Sequence, residues 1–288
     1  MMNSALLDIG GLTLCLEGDG SVPVVMALPG MSTFACTDGE PVLHLALDAD
    51  IEKPECRLLH CFDILEGSSE CRFMADAEGT YYYCFDEGEL LRIDPRRKGC
   101  AECTALDLPE KLRFAIWLAY SMMAVDYGRL PIHSSTVVHD GRAVLCLGES
   151  GTGKSTHTRL WLNNIPQCHL LNDDSPILAA MPEGAMVYGS PWSGKTHYYL
   201  QERYPVAALL RLEQRPHNVI HRLPTLEAFG AVQPSLPPSM AHDEHTLDAL
   251  VSFASRIITT TPVYRLGCLP DTDAARLSHS TIYDCDEH

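Results

Sequence analysis

The sequence predicts an α/β chain in two domains: a β-rich domain over residues 1–108, and a second domain over residues 109–288 with a mixed sheet around a glycine-rich loop. Three observations predict this. Residues 148–155 (GESGTGKS) fit the phosphate-binding pattern G-x-x-x-x-G-K-[ST], or Walker A motif, at every fixed position. An Asp-Gly pair joins the two apolar runs before this loop. Short apolar runs separated by Gly, Asp, Glu and Pro fill the N-terminal part.

Strands are predicted in the N-terminal domain wherever such an apolar run occurs. The clearest runs cover residues 11–16, 41–47 and 79–85, and their length and flanking residues are typical of β-strands. Residues 109–127 differ, because their apolar side chains recur at helical spacing. This segment is predicted to be a helix that links the domains or opens the second one.

A β-hairpin is predicted immediately before the glycine-rich loop. Two apolar runs, residues 132–138 and 143–147, flank the Asp140-Gly141 pair. Asp-Gly between two such runs favours a tight turn that pairs the strands antiparallel. The strand that carries the loop would therefore lie in a mixed sheet rather than in an all-parallel one.

The chain after the loop predicts a helix of about ten residues and then a strand at residues 168–174, which delivers Asp173 and Asp174 about 20 residues past Lys154. Two adjacent carboxylates can face one site only if the strand ends there, and Pro176 supports such an end. The remaining predicted elements are strands at 185–188, 206–212 and 262–266, helices at 245–258 and 272–279, and an exposed loop at 233–246.

The loop residues suit the binding of a polyphosphate. Gly148, Gly151 and Gly153 would let the backbone turn its N–H groups inward at the positive end of the next helix. Lys154 would reach the β- and γ-phosphates, and the Ser155 hydroxyl would be a ligand of Mg²⁺. The residues predicted to bind ATP are Gly148, Ser150, Gly151, Thr152, Gly153, Lys154, Ser155 and Thr156.

Composition excludes several classes of protein. No apolar run approaches the roughly 20 residues that span a bilayer, and the N-terminus has no secretion signal, so we expect a soluble cytoplasmic protein with reduced cysteines. Residues 1–110 carry 21 acidic and 7 basic side chains, a balance of −14 within a net charge of −17. Such a surface repels nucleic acid and anionic membranes.

The hairpin, His133, the loop and the Asp173-Asp174 pair together resemble the catalytic domain of HPr kinase/phosphorylase. They are similar, more distantly, to ATP-dependent phosphoenolpyruvate carboxykinase, which has a comparable loop and Asp pair. The resemblance covers residues 130–270 and not the N-terminal domain. It implies a fold of the HPr kinase/carboxykinase type, ATP and Mg²⁺ as cofactors, and assembly into an oligomer through this domain.

The resemblance also implies roles for individual residues. Asp173 would match the base that takes the proton from a serine hydroxyl, Asp174 the carboxylate on the metal side, and His133 the histidine near the phosphates. These roles are chemically sensible, because a carboxylate can orient a hydroxyl and accept its proton while Mg²⁺ and Lys154 neutralise charge on the transferred group.

The chain departs from the family at residues 189–195 (GSPWSGK), which do not reproduce the signature of HPr kinases after the Asp pair. Trp192 and Lys195 in this segment are candidate substrate-binding residues. Arg211 and Arg215, beside a later predicted strand, are candidate phosphate contacts.

The leading hypothesis is a kinase that phosphorylates a hydroxyl group, with serine of a protein, peptide or small molecule as the acceptor. Two alternatives remain open. One is a nucleotide-binding sensor or adaptor without turnover. The other is a carboxykinase-like enzyme, although those enzymes are longer and need further metal ligands.

Overall fold

The structure is a computed structural model that describes residues 3–64, 67, 69–86, 88–194 and 196–283. The chain divides into two compact units. The first comprises Met1–Tyr127 and Ser239–Ala249, and the second Gly128–Pro238 and Leu250–His288. The helix predicted from residue 109 onwards is thus grouped with the first unit, whereas the sequence-based boundary assigned it to the second domain.

The described part of the first unit contains nine strands and the helices α1 (Ser21–Ala27) and α2 (Pro109–Ala124). The strands are β1 (Ser4–Ile9), β2 (Leu12–Glu17), β3 (Ala35–Cys36), β4 (Leu43–Ala46), β5 (Arg57–Ile64), β6 (Ser69–Ala75), β7 (Tyr81–Phe85), β8 (Glu89–Ile93) and β9 (Cys100–Cys103). They form one sheet in the order β3-β1-β2-β4-β9-β8-β7-β6-β5.

An ion-pair cluster connects helix α2 to this sheet. The buried Lys111 Nζ lies 2.8 Å from carboxylate oxygens of Asp86, Glu89 and Asp107. Burial lowers the pKa of Lys111, but the three carboxylates outweigh it and raise the pKa above its ordinary value. Since a buried charge is costly unless it is paired, these contacts help to fix α2 against β8 and the turn between β7 and β8.

The helices in the described part of the second unit are α3 (Lys154–Asn164), α4 (Thr225–Val232), α5 (Glu244–Thr260), whose first residues are grouped with the first unit, and α6 (Thr272–Tyr283). The strands are β10 (Arg129–Pro131), β11 (Ser134–His139), β12 (Arg142–Leu147), β13 (His169–Asp174), β14 (Ile177–Met181), β15 (Gly184–Tyr188), β16 (Arg203–Gln214), β17 (Val219–Arg222) and β18 (Val263–Cys268). They form a sheet in the order β10-β14-β15-β16-β12-β11-β13, with β18 next to β16 and β17 next to β18.

The sheet is mixed around β12. This strand pairs antiparallel with β11 through the turn at Asp140 and Gly141, both at positive φ, and parallel with β16 on its other side. The predicted hairpin is confirmed. Ser134, the first residue of β11, pairs with Leu147 of β12 on one side and with Asp174 of β13 on the other. The ends of β12 and β13 therefore flank the first residue of β11.

Residues 233–246 were predicted to be an exposed loop, and this prediction is wrong. Gln233–Ser235 and Pro238–His242 form 3₁₀ turns, and α5 begins at Glu244. Leu236 and Met240 are buried. Proline suits the first positions of a helical turn, so the prolines that suggested an open loop instead begin short helical turns.

Helix α3 is held by a buried polar contact with α6. The Trp161 indole N–H lies 3.2 Å from His157 Nε2 and 3.0 Å from Ser278 Oγ, and all three residues are buried. His157 Nε2 is 3.0 Å from the same serine oxygen. The helix that follows the glycine-rich loop is thus fixed by its neighbour.

Among the described residues, no helix is both long and apolar enough to cross a bilayer.

Burial of His157 predicts a loss of stability in mild acid. Desolvation lowers its pKa to about 4, against an ordinary value of ~6.5 in the unfolded chain. The unfolded chain therefore binds the proton first. Stability should fall as the pH drops below ~6.5 and the loss should level off below the folded pKa, at a total of about 3 kcal/mol.

Chemical denaturation of the wild type and of His157→Gln at several pH values between 7 and 4 checks this prediction. The variant has no imidazole to protonate, so its stability deficit relative to the wild type should shrink as the pH falls. A deficit that stays constant over this range contradicts the prediction.

Candidate functional site

Residues 148–153 form a compact turn between β12 and α3. Gly148, Gly151 and Gly153 have φ of 154°, 80° and 103°, which side chains disfavour. A Cβ at Gly148 would clash with Thr152 Oγ1. Both the backbone N–H and the hydroxyl of Thr152 donate to the carbonyl of Glu149. The turn leads directly into the N-terminus of α3, whose first N–H groups have no partner within a helix.

Lys154, the first residue of α3, reaches back over this turn. Its Nζ lies 2.8 Å and 3.2 Å from the carbonyl oxygens of Gly148 and Glu149, and 3.0 Å from His133 Nε2. Burial lowers the pKa of Lys154 below its ordinary value, against the opposing effect of Asp174 and Glu149. Its ammonium is therefore partly desolvated, which strengthens its interaction with an anion.

The two aspartates at the end of β13 contact different neighbours. Ser155 Oγ donates to Asp173 Oδ1 at 2.9 Å, and Thr196 Oγ1 donates to Asp173 Oδ2 at 3.0 Å. Asp174 Oδ1 lies 3.2 Å from His133 Nδ1. Successive side chains of a strand point to opposite sides, which separates the two contacts. They nevertheless converge, because His133 touches Lys154 and the next residue of α3 touches Asp173.

Asn172 supports the aspartates, a role that was not predicted from the sequence. Its side chain is fully buried, and its Oδ1 accepts from the backbone N–H groups of Asp174 and Ser175, both at 3.0 Å. Its Nδ2 donates to the Ser190 hydroxyl at 3.3 Å and to the carbonyl of Trp192 at 3.2 Å. An asparagine in an otherwise apolar strand before an Asp pair was the available signal.

The segment after β15 packs its backbone against β13. The Gly194 N–H donates to the carbonyl of Asp173 at 3.1 Å, and a Cβ at residue 194 would lie 2.8 Å from that oxygen. Only glycine allows this approach. Trp192, one of the two predicted substrate-binding residues, is buried, and its backbone N–H donates to Ser190 Oγ. Lys195, the second predicted substrate-binding residue, lies outside the described residues.

Arg211 connects the loop to the end of β16. Its Nη2 lies 2.9 Å from a carboxylate oxygen of Glu149. Its Nη1 is buried and has no hydrogen-bond partner among the residues that the structure describes. An unsatisfied buried donor is costly, so Nη1 is a donor available to a further acceptor at this position. Arg215, the second predicted phosphate contact, instead pairs with Glu213 at 3.0 Å.

The hydroxyl of Ser155 and the carboxylate of Asp173 place oxygen atoms side by side, and oxygen ligands suit a hard cation. Among the described residues, no group of three or more His, Cys, Asp or Glu side chains is arranged to hold a metal ion alone. Mg²⁺ does not need such a cage, since one or two carboxylates, waters and substrate phosphates complete its shell. The Ser155 hydroxyl with Asp173, and Asp174 close by, fit that pattern.

Comparisons with known proteins identify no family. No family model matches the chain, and no curated protein matches it. Among solved structures, the chain is similar to the HPr(Ser) kinase/phosphatase from Coxiella burnetii, at 13% identity and a TM-score of 0.32, over 54% of this chain and 95% of that chain. The similarity is distant in both sequence and structure.

Proposed function

We propose that the protein is an ATP- and Mg²⁺-dependent kinase that transfers the γ-phosphate to a hydroxyl group, with a serine hydroxyl as the acceptor. One observation carries the proposal. The first two residues of α3, Lys154 and Ser155, contact His133 and Asp173, so the end of the glycine-rich loop lies beside the carboxylates that end β13.

The contacts of the loop support the binding of a nucleotide. Three glycines at positive φ, the N-terminus of α3 and the partly desolvated Lys154 all favour a polyphosphate at this position. The buried Nη1 of Arg211 adds a donor that lacks a protein acceptor among the described residues. A phosphate oxygen would satisfy it.

The proposed metal would be held by the Ser155 hydroxyl on the side of Asp173. When bound, Mg²⁺ neutralises charge on the phosphates. The hydrogen bond from Ser155 to Asp173 favours Asp173 as the carboxylate on this metal side. The sequence-based assignment gave that role to Asp174 and the role of base to Asp173. We propose the exchanged order on the basis of these contacts.

In this order, Asp174 is the base and His133 positions it. The acceptor hydroxyl gives its proton to the Asp174 carboxylate as its oxygen bonds to the γ-phosphorus. The bond from that phosphorus to the β,γ-bridging oxygen breaks, and ADP leaves with the electron pair. The imidazole of His133 lies 3.2 Å from the Asp174 carboxylate and holds it in place, and Lys154 contacts the other nitrogen of that ring.

The proposed acceptor rests on the resemblance noted in the sequence, which is to serine kinases related to HPr kinase/phosphorylase. The departure of residues 189–195 from the signature of those enzymes argues against HPr as the acceptor. We therefore propose a serine of another protein, a peptide, or free serine.

Incubation of the purified protein with Mg²⁺ and γ-labelled ATP tests this function. The acceptors would be free serine, serine peptides and a cytoplasmic protein fraction, with threonine as a matched comparison. We expect labelled phosphoserine with equimolar ADP, and none when EDTA removes the metal. Tight ATP binding without any phosphate transfer or hydrolysis would instead support the alternative of a nucleotide-binding sensor. No contact among the described residues specifically favours a carboxykinase-like enzyme.

A further inference from the structure

A cavity of about 380 Å³ lies beside the glycine-rich loop, on the side of the N-terminus of α3. Its volume is within the ~300–1,000 Å³ that is usual for small-molecule sites. Its wall begins at Gly151 and Gly153 of the loop and continues along Thr156. The cavity is therefore continuous with the proposed phosphate site.

The contacts of Lys154 define the direction in which a bound triphosphate must lie. A lysine at this position of the motif reaches the β- and γ-phosphates. Its Nζ is next to His133, which contacts Asp174, so the γ-phosphate belongs at the aspartate end of the loop. The α-phosphate then lies towards Thr156, and whatever is attached to it leaves the loop at the cavity.

The walls of the cavity suit a flat, partly apolar group. Leu160 of α3, Leu212 of β16 and Leu269 after β18 provide apolar surface, and 40% of Leu269 is exposed. Gln214 and Arg215 provide polar groups. An exposed leucine at the edge of a cavity that continues a proposed phosphate site offers apolar surface against which an aromatic ring can pack.

Close packing of the backbone positions Arg215 at this cavity. A Cβ at Gly267 would lie 2.6 Å from Arg215 Cγ, so the stem of the arginine lies directly on strand β18. Its guanidinium is oriented by Glu213, and the Gln214 amide donates to the carbonyl of Gly151 at 3.3 Å. The polar groups of the cavity are thus held in place, which favours recognition of a heterocycle with hydrogen-bonding edges.

We infer that this cavity is the nucleoside subsite of the protein and holds the purine base of ATP, with Leu269 against the ring and Gln214 and Arg215 at its polar edge. The inference rests on the proposed function, since it requires a triphosphate in the loop. The phosphate contacts proposed for the loop are the same for a nucleotide and for an inorganic polyphosphate. The residues that line the cavity would contact only the nucleotide, and so would favour its binding.

Calorimetric titration with ATP and with inorganic tripolyphosphate, each with Mg²⁺, tests the inference on the full chain. We expect the wild type to bind ATP at least about tenfold more tightly, since burial of apolar surface in the cavity adds to the phosphate contacts. Leu269→Gln should weaken ATP about five- to tenfold and leave tripolyphosphate within about twofold. Retained tripolyphosphate binding shows that the variant is folded.

Leu226→Gln is the matched control, because Leu226 of α4 is 85% exposed and does not line the cavity. It should bind both ligands as the wild type does. Cys268, a half-buried lining residue, gives a second readout: ATP, but not tripolyphosphate, should slow its alkylation in peptide mapping. Equal binding of both ligands overturns the inference alone, whereas binding of neither also overturns the proposed function.

Discussion

Lys154→Met is expected to reduce phosphoryl transfer by about 10²–10³-fold, the usual effect of removing one donor that stabilises developing charge in a closed site. The ammonium is partly desolvated, lies against two loop carbonyls and touches His133. Methionine keeps most of the apolar stem of the side chain but provides no charge for the phosphates. Steady-state kinetics with labelled ATP measures the loss.

A matched control separates this effect from a general loss of positive charge. Lys98, an exposed lysine of the first unit, also carries one charge, and Lys98→Met should leave the rate unchanged. Circular dichroism and thermal unfolding would show that both variants are folded. A rate for Lys154→Met within about twofold of the wild type would refute the proposed site, since the loop would then not contact the transferred group.

The glycine-rich loop, its flanking strand and helix, and the hairpin before it could be predicted because short-range rules determine them. Glycine spacing fixes the turn, and Asp-Gly fixes the register of β11 against β12. The Asp pair followed from one sequence signal, an apolar strand that ends in two carboxylates. In each case, the residues that determine the structure lie within a few positions of one another.

The supporting contacts could not be predicted in this way. Arg211 is far from Glu149 in the sequence, and only the parallel pairing of β12 with β16 brings them together. Asn172 provides a further example, since its partners Ser190 and Trp192 belong to a segment without regular periodicity. Tertiary structure decides such pairs, and a single sequence carries no local signal for them.

Helix α2 shows a related limit. Its apolar periodicity predicts a helix, but an amphipathic pattern does not state which sheet the apolar face covers. The position of Lys111 among Asp86, Glu89 and Asp107 provides that information, and it groups the helix with the first unit. The same holds for residues 233–246, where proline suggests an open loop but equally suits the start of a helical turn.

Replacement of each of the two aspartates by asparagine is expected to change a different kinetic property. Asp174→Asn should reduce the maximal rate by about 10²–10⁴-fold at any Mg²⁺ concentration, because the amide cannot accept the proton of the acceptor hydroxyl. Asp173→Asn should instead raise the Mg²⁺ concentration needed for half-maximal rate by about tenfold or more, because its contact with Ser155 places it on the metal side.

Rates measured across a Mg²⁺ titration distinguish the two roles, since the metal can compensate for one loss and not for the other. Asp140→Asn is the control, because that residue lies exposed in the hairpin turn at positive φ, which asparagine also adopts. The reverse result, in which Asp173→Asn loses rate at saturating metal while Asp174→Asn requires more metal, would restore the sequence-based assignment. If both variants keep full activity at low Mg²⁺, neither carboxylate takes part in the chemistry, and the contacts of Ser155 and His133 with them are structural only.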